Sequence, residues 1–167
     1  EMTFAGVYFV DACDFSGTDL SGAWLLDLRN RDSDEERPLK LGLATIRGAK
    51  FWRTPQAGAF ITQDHIRSTA SHKQGDLSGI RLYGIDLAGF DLSNQNLTGA
   101  AFGRCDLTNV DFTDAVITAA DFVTFRYRRD PTKGLTADQI KSTWNYKHGR
   151  MEGIVLPKDL ANALVRQ

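Results

Sequence analysis

Between residues 77 and 122 a large apolar side chain returns at every fifth position: Leu77, Leu82, Leu87, Leu92, Leu97, Phe102, Leu107, Phe112, Ile117 and Phe122. Two positions ahead of each stands a second, mostly small or apolar column, from Gly75 and Ile80 through Cys105 to Ala115 and Ala120. The residue between the two columns is Asp or Asn in seven of these ten pentads. A helix face repeats about every 3.6 residues and a strand face every 2, so neither produces this spacing. The pattern calls for a backbone that bends every five residues and turns two side chains of each five inward.

The same ruler recurs outside the unbroken block. Phe15, Leu20 and Leu25 follow it, with Cys13, Thr18 and Ala23 in the small column. Ile46 and Phe51 follow with Ala44 and Ala49, and Met151 and Leu156 with Gly149 and Ile154. Pentads thus cover about 4–28, 44–53, 75–124 and 149–158. Phe4 and Phe9 are five apart but one residue out of phase with Phe15, which predicts a one-residue bulge over 11–14. Segments such as Ala120-Asp121-Phe122 and Cys105-Asp106-Leu107-Thr108-Asn109 carry the pattern Ala-Asp/Asn-Leu-X-X. In this the chain resembles the pentapeptide repeat family. The resemblance implies an all-β solenoid, a right-handed quadrilateral β-helix with one pentad on each side of a square coil. Stacking logic agrees: four bends of five residues make a coil of about 20 residues, and coils pile up at strand spacing, ~4.8 Å. The pentads read this way make four to five coils, with the ruler residues as the structural core.

A longer repeat is laid over the short one. Residues 61–82 and 135–156 are identical at ten of 22 positions. Each copy opens with a helix start, Thr62 or Thr136 as N-cap and Asp64 or Asp138 in the first turn. Helical excursions are expected over 62–72 and 136–146, with Ile66 and Ala70, or Ile140 and Trp144, turned toward the coil. Residues 29–38, charged and ending in Pro38, read as a solvent loop, and 52–60 and 123–134 as connectors. Residues 158–166 form a short helix with Leu160, Ala163 and Leu164 on one side, a lid over the last hydrophobic layer. The whole, 1–167, reads as one domain.

Composition adds bounds. Apolar and charged fractions of 42% and 25% are those of a globular protein. The apolar runs are too short to span a bilayer. The chain opens Glu1-Met2 without a charged-then-apolar leader, which says little about its address; a cytoplasmic one is slightly favoured and export stays open. Cys13 and Cys105 both occupy the small inward column, so both are expected to be buried reduced thiols. Net charge is −1 but unevenly spread: residues 75–124 hold seven acids and two bases, residues 125–167 nine bases and four acids.

No catalytic, cofactor or metal site is expected. The three histidines, His65, His72 and His148, lie in the excursions, and at the duplicated positions of His65 and His72 stand Gln139 and Tyr146. Zinc, hydrolase and phosphate-loop motifs are lacking. The acidic column invites comparison with family members that mimic DNA and modulate a type II topoisomerase, gyrase. Asp and Asn at a tight bend also have a structural use, accepting from nearby backbone N–H groups. The two readings differ in whether the carboxylates gather on one side or spread over four. The basic residues Arg126, Arg128, Arg129 and Lys133 form a candidate partner-binding site, extended by Arg104. The expectation is a non-enzymatic interaction module for an unidentified protein partner, with DNA mimicry as the alternative. Nucleic acid as the ligand is disfavoured, and pairing of two copies through their solenoid ends is open.

Overall fold

The computed structural model describes residues 3–5, 8–9, 14–26, 29–30, 39–52, 61–123 and 132–165. Each pentad residue has a local job there. The ruler carbonyl accepts from the N–H three residues on, as Leu97 does from Ala100 (2.9 Å) and Phe112 from Ala115 (3.0 Å). Two past the ruler the backbone enters the left-handed region, at Asn94 (φ 56°) and Asn109 (φ 56°), as a type II turn requires. Asn tolerates that conformation better than most residues. Ahead of the ruler, the Asp or Asn side chain accepts from the N–H two residues on: Asp91 from Ser93 (2.9 Å), Asp111 from Thr113 (2.8 Å).

Successive turns of chain pair in parallel. Bridges join Asp76 to Asn96, Asn96 to Val116, Asp86 to Asp106 and Asp91 to Asp111, each pair twenty residues apart. Among the described residues seven short strands thicken two of the columns: β1 (Thr3–Ala5), β2 (Tyr8–Phe9), β3 (Trp24–Leu26), β4 (Arg29–Asn30), β5 (Lys50–Trp52), β6 (Arg81–Tyr83) and β7 (Ala101–Gly103). The first column is a five-stranded parallel sheet ordered β1-β3-β5-β6-β7, continued by bridges from Ala101 to Asp121 and from Asp121 to Val155. Its register aligns Leu25, Phe51, Leu82 and Phe102. A second column pairs β2 with β4, and Asp86 with Asp106 and Lys133. The third holds Asp14–Lys40 and Asp91–Asp111; the fourth Asp19–Thr45 and Asp76–Asn96–Val116.

The ruler residues fill the space between the columns. Leu20, Leu25, Ile46, Phe51 and every ruler residue from Leu77 to Phe122 are buried. Among them Phe102 stacks on Phe122 with centroids 5.3 Å apart, and Phe112 meets both rings edge-on. Each such side chain contributes roughly 1.5–3 kcal/mol by leaving water. Phe15, Met151 and Leu156 are only partly buried. Leu41 is as deeply buried as the others. The ruler therefore begins one pentad before the expected start at 44, with a large Leu39 in the small column obscuring it. Thr3 pairs with Trp24 and Tyr8 with Arg29, a spacing of 21 residues; the bulge expected there falls on 11–14, of which 11–13 lie outside the described residues.

The two excursions are helical, but each is a pair: α1 (Gln63–Ser68) with α2 (Ala70–Lys73), and α3 (Ala137–Lys141) with α4 (Trp144–Lys147). Thr62 and Thr136 cap the first helices through reciprocal boxes with His65 and Gln139. Thr69 and Thr143 are extended and cap the second helices. That break corrects the expected inner face. Ile66 and Ile140 are fully buried, but Ala70 and Trp144 are half-buried, and Ser71 and Asn145 point inward instead. A four-residue spacing cannot be carried across the extended residue that interrupts each helix. The helix pairs complete the third and fourth columns: Leu43 and Asp114 donate to Ser68 and Ser142, and Ala44 and Ala115 accept from Ala70 and Trp144. Ile46 N–H then donates to Ser71 Oγ (2.9 Å) and Ile117 N–H to Asn145 Oδ1 (2.6 Å). A side-chain oxygen thereby stands where a pentad would present a carbonyl. The loop expected over 29–38 is also corrected: Arg29 and Asn30 pair with β2, because the coil continues through them. Residues 31–38 lie outside the described residues. A last helix, α5 (Lys158–Val165), packs Leu160 and Leu164 against the core while Ala163 stays exposed.

Candidate interaction surface

The acidic column is engaged by its own backbone. Asp14, Asp19, Asp76, Asp86, Asp91, Asp106, Asp111 and Asp121 each accept from the N–H two residues on, at 2.8–3.1 Å. Asn96 makes the same bond to Thr98 N–H (3.1 Å), so the turn needs an acceptor and not a charge. These residues are distributed over all four columns. Several face cations from neighbouring levels: Asp14 with Lys40 (3.5 Å), Asp76 with Arg47 (3.5 Å) and Asp106 with Lys133 (2.8 Å); outside the column, the turn residue Asp114 meets Lys147 (2.7 Å). Lys133 and the Thr108 hydroxyl together hold the Asp106 carboxyl down at about 2. Lys133, expected in a free connector, is instead bridged in parallel to Asp106, and its ammonium is raised by that carboxylate. The neighbouring Gly134 (φ 76°) passes so close that a Cβ there would lie 2.6 Å from Thr108 N. Arg126, Arg128 and Arg129 lie outside the described residues, as does Cys13.

The histidines are taken up in packing and capping. His65 Nδ1 accepts from Thr62 N–H (3.0 Å), the His72 ring lies 5.4 Å from Phe90, and His148 stacks on Trp144 at 4.3 Å. Among the described residues no group of three His, Cys, Asp or Glu side chains could hold a metal ion. The Cys105 thiol is buried against the Leu82 carbonyl (3.5 Å), and burial pushes its pKa up to about 12. Among the described residues no helix is long and apolar enough to cross a membrane.

On the outer side of the five-stranded sheet the composition changes. The Lys50 ammonium lies 4.0 Å from the centre of the Trp24 ring. Trp52 and Tyr83 have ring centroids 4.4 Å apart, and the Arg104 guanidinium lies 5.9 Å from the Tyr83 ring. The sequence pointed to Arg104 only as an extension of the basic run. It did not point to Lys50 and Arg81, whose shared register with Trp24 becomes visible once the levels are aligned.

Residues 76–123 match the family model for pentapeptide repeats, in eight copies. These residues carry pentapeptide repeats. No curated protein matches the chain. Among solved structures, this chain is similar to a pentapeptide repeat protein from the Arabidopsis thaliana thylakoid lumen, at 24% identity over 74% of this chain and 77% of the other, TM-score 0.27. It is similar to full-length QnrB1, a plasmid-mediated fluoroquinolone resistance protein, at 16% identity over 92% and 84%, TM-score 0.29. HetL, involved in heterocyst differentiation regulation in the cyanobacterium Nostoc, is 23% identical over 66% of this chain and 50% of its own, TM-score 0.21.

Proposed function

We propose that this chain is a non-enzymatic solenoid that binds another protein, with a right-handed, four-sided coil as the rigid support. The sheet column passes seven levels from β1 to Val155, which supports six turns and a rod of roughly 29 Å at ~4.8 Å per level. That exceeds the four to five coils counted from pentads alone, because helix pairs stand in for pentads in the third and fourth columns. The observation that carries the functional reading is the use made of the acidic column. Its carboxylates accept from their own turns and spread over four columns, which leaves no continuous acidic stripe among the described residues to imitate a duplex. Recognition then falls to the basic run Arg126, Arg128 and Arg129 and the charged residues 31–38, which lie outside the described residues. The test is affinity capture from native lysate with the wild type and with those three arginines changed to Ser, alongside a gyrase supercoiling assay. A specific protein captured by the wild type and weakened in the variant supports the reading. Inhibition of gyrase by the wild type, without a captured partner, would replace it with the topoisomerase alternative.

A further inference from the structure

The two helical excursions differ at one capping residue. In the second copy Gln139 closes the box on Thr136: its Oε1 accepts the Thr136 N–H at 2.8 Å, and its Nε2 donates to the Leu107 and Val110 carbonyls at 2.8 and 2.9 Å. In the first copy His65 holds that place, and its Nδ1 accepts the Thr62 N–H at 3.0 Å and lies 2.9 Å from Thr62 Oγ1. Accepting from an N–H requires a lone pair on Nδ1, so the ring is neutral and carries its proton on Nε2. Imidazole is the ordinary side chain that changes charge between roughly pH 5 and 8, where an amide does not titrate. Thr62 is exposed and His65 half-buried, so solvent protons reach the ring. We propose that α1 is an acid-sensitive element of the coil, which loosens when His65 takes up a second proton while α3 stays closed.

Protonation acts in two ways. A proton on Nδ1 can still be donated to Thr62 Oγ1, but the Thr62 N–H then faces a donor and loses its acceptor. The ring also becomes a cation in the first turn of α1, against the partial positive charge of that helix end. The charged groups on the described elements packed against α1 have engagements of their own. On the helix itself Asp64 pairs with Arg67. On the level before, Lys40 pairs with Asp14, and on the level after, Asp86 and Asp91 accept from the Ala88 and Ser93 N–H groups. On α2 stand Lys73, exposed, and His72, whose Nε2 lies 3.3 Å from the Asp91 carbonyl. Loosening has a structural consequence, because α1 covers part of the core and one edge of the coil. Ile66 is fully buried, and the Ser68 carbonyl accepts the Leu43 N–H at 3.0 Å in the third column.

The test is amide hydrogen exchange, read by NMR on the full chain at about pH 7.5 and about pH 5, with each rate compared with the intrinsic rate at its own pH. The Ile66 N–H, bonded to the Thr62 carbonyl, and the Leu43 N–H report on α1. The Ile140 N–H, bonded to the Thr136 carbonyl, and the Asp114 N–H, bonded to the Ser142 carbonyl, report on α3. At the lower pH protection of the first pair should fall by roughly five-fold, the weight of one lost cap, while that of the second pair holds. His65→Gln, a side chain the second copy already uses, should remove the response. The ring nitrogen shifts of His65 add a readout that needs no variant: at the higher pH the proton should sit on Nε2, and a proton on Nδ1 would overturn the proposal. Equal protection of α1 at the two pH values would also overturn it. So would a response that survives in His65→Gln, which would belong to His72 or a carboxylate instead.

Discussion

Asn145 offers a sharp test of how helices are built into a pentad solenoid. It is fully buried, and its Oδ1 accepts the Ile117 N–H at 2.6 Å. Its Nδ2 donates to Thr118 Oγ1 and to the Arg150 carbonyl, both at 2.9 Å. Asn145→Ala strands the Ile117 amide without an acceptor, a cost of ~1–3 kcal/mol, and removes two further bonds worth ~1 kcal/mol each. A total of about 3–5 kcal/mol lowers the melting temperature by roughly 6–20 °C in a chain of this size. Asn145→Ser is the informative companion, because Ser71 meets the same demand in the first copy, accepting from Ile46 N–H at 2.9 Å. A hydroxyl there should recover the amide bond alone and roughly halve the loss. Urea unfolding of the three proteins, compared by midpoint at constant slope, gives the differences. If the Ala variant unfolds within ~0.5 kcal/mol of wild type, or the Ser variant is no better than Ala, the side-chain oxygen is not replacing a pentad carbonyl.

Other consequences follow from the same geometry. Leu92→Asp places an unpaired charge among the buried ruler residues and should cost several kcal/mol, so a melt within a few degrees of wild type would refute the inward assignment. Leu43 holds a positive φ of 59° while exposed, so Leu43→Gly should stabilise by up to ~1 kcal/mol, and a loss of stability would show that this conformation is not strained. The Asp106 carboxyl sits at about 2, below the ordinary value of ~3.9 in an unfolded chain. The unfolded state therefore binds more protons between those values, and Asp106 contributes stability above ~4 that is lost as pH falls through about 2. Carboxyl titration by NMR should show Asp106 moving upward in Lys133→Met, and no movement would dissociate the pair.

Much of this molecule is legible in its sequence because each pentad is locally self-sufficient. The ruler, the Asx acceptor and the turn residue lie within five positions, so Leu77 through Phe122 are read directly. Thr62 and Thr136 are legible for the same reason, since a cap acts over three residues. What escapes depends on alignment across levels. Ser71 and Asn145 look like ordinary polar helix residues until Ile46 and Ile117 are seen to donate to them. Lys133 looks like part of a basic connector until it is stacked on Asp106, 27 residues away. Lys50 and Arg81 are 31 residues apart and become neighbours through the excursion between them, whose length no pentad rule gives. Leu41 was hidden by a local effect, the bulky Leu39 in a column that usually holds small residues.

The claim that the acidic column is structural, and that recognition is led by cations, is tested most directly by removing its charge without removing its acceptors. Asp86, Asp91 and Asp111 changed together to Asn should keep every corner, because Asn96 already makes that turn bond with an amide oxygen. The measurement is capture of the same protein partner by this triple variant and by wild type, at matched folding by melting temperature. Capture equal to or stronger than wild type is the predicted result. Loss of the partner from a fully folded triple variant would show that the carboxylates themselves are the recognised surface, and would contradict the account.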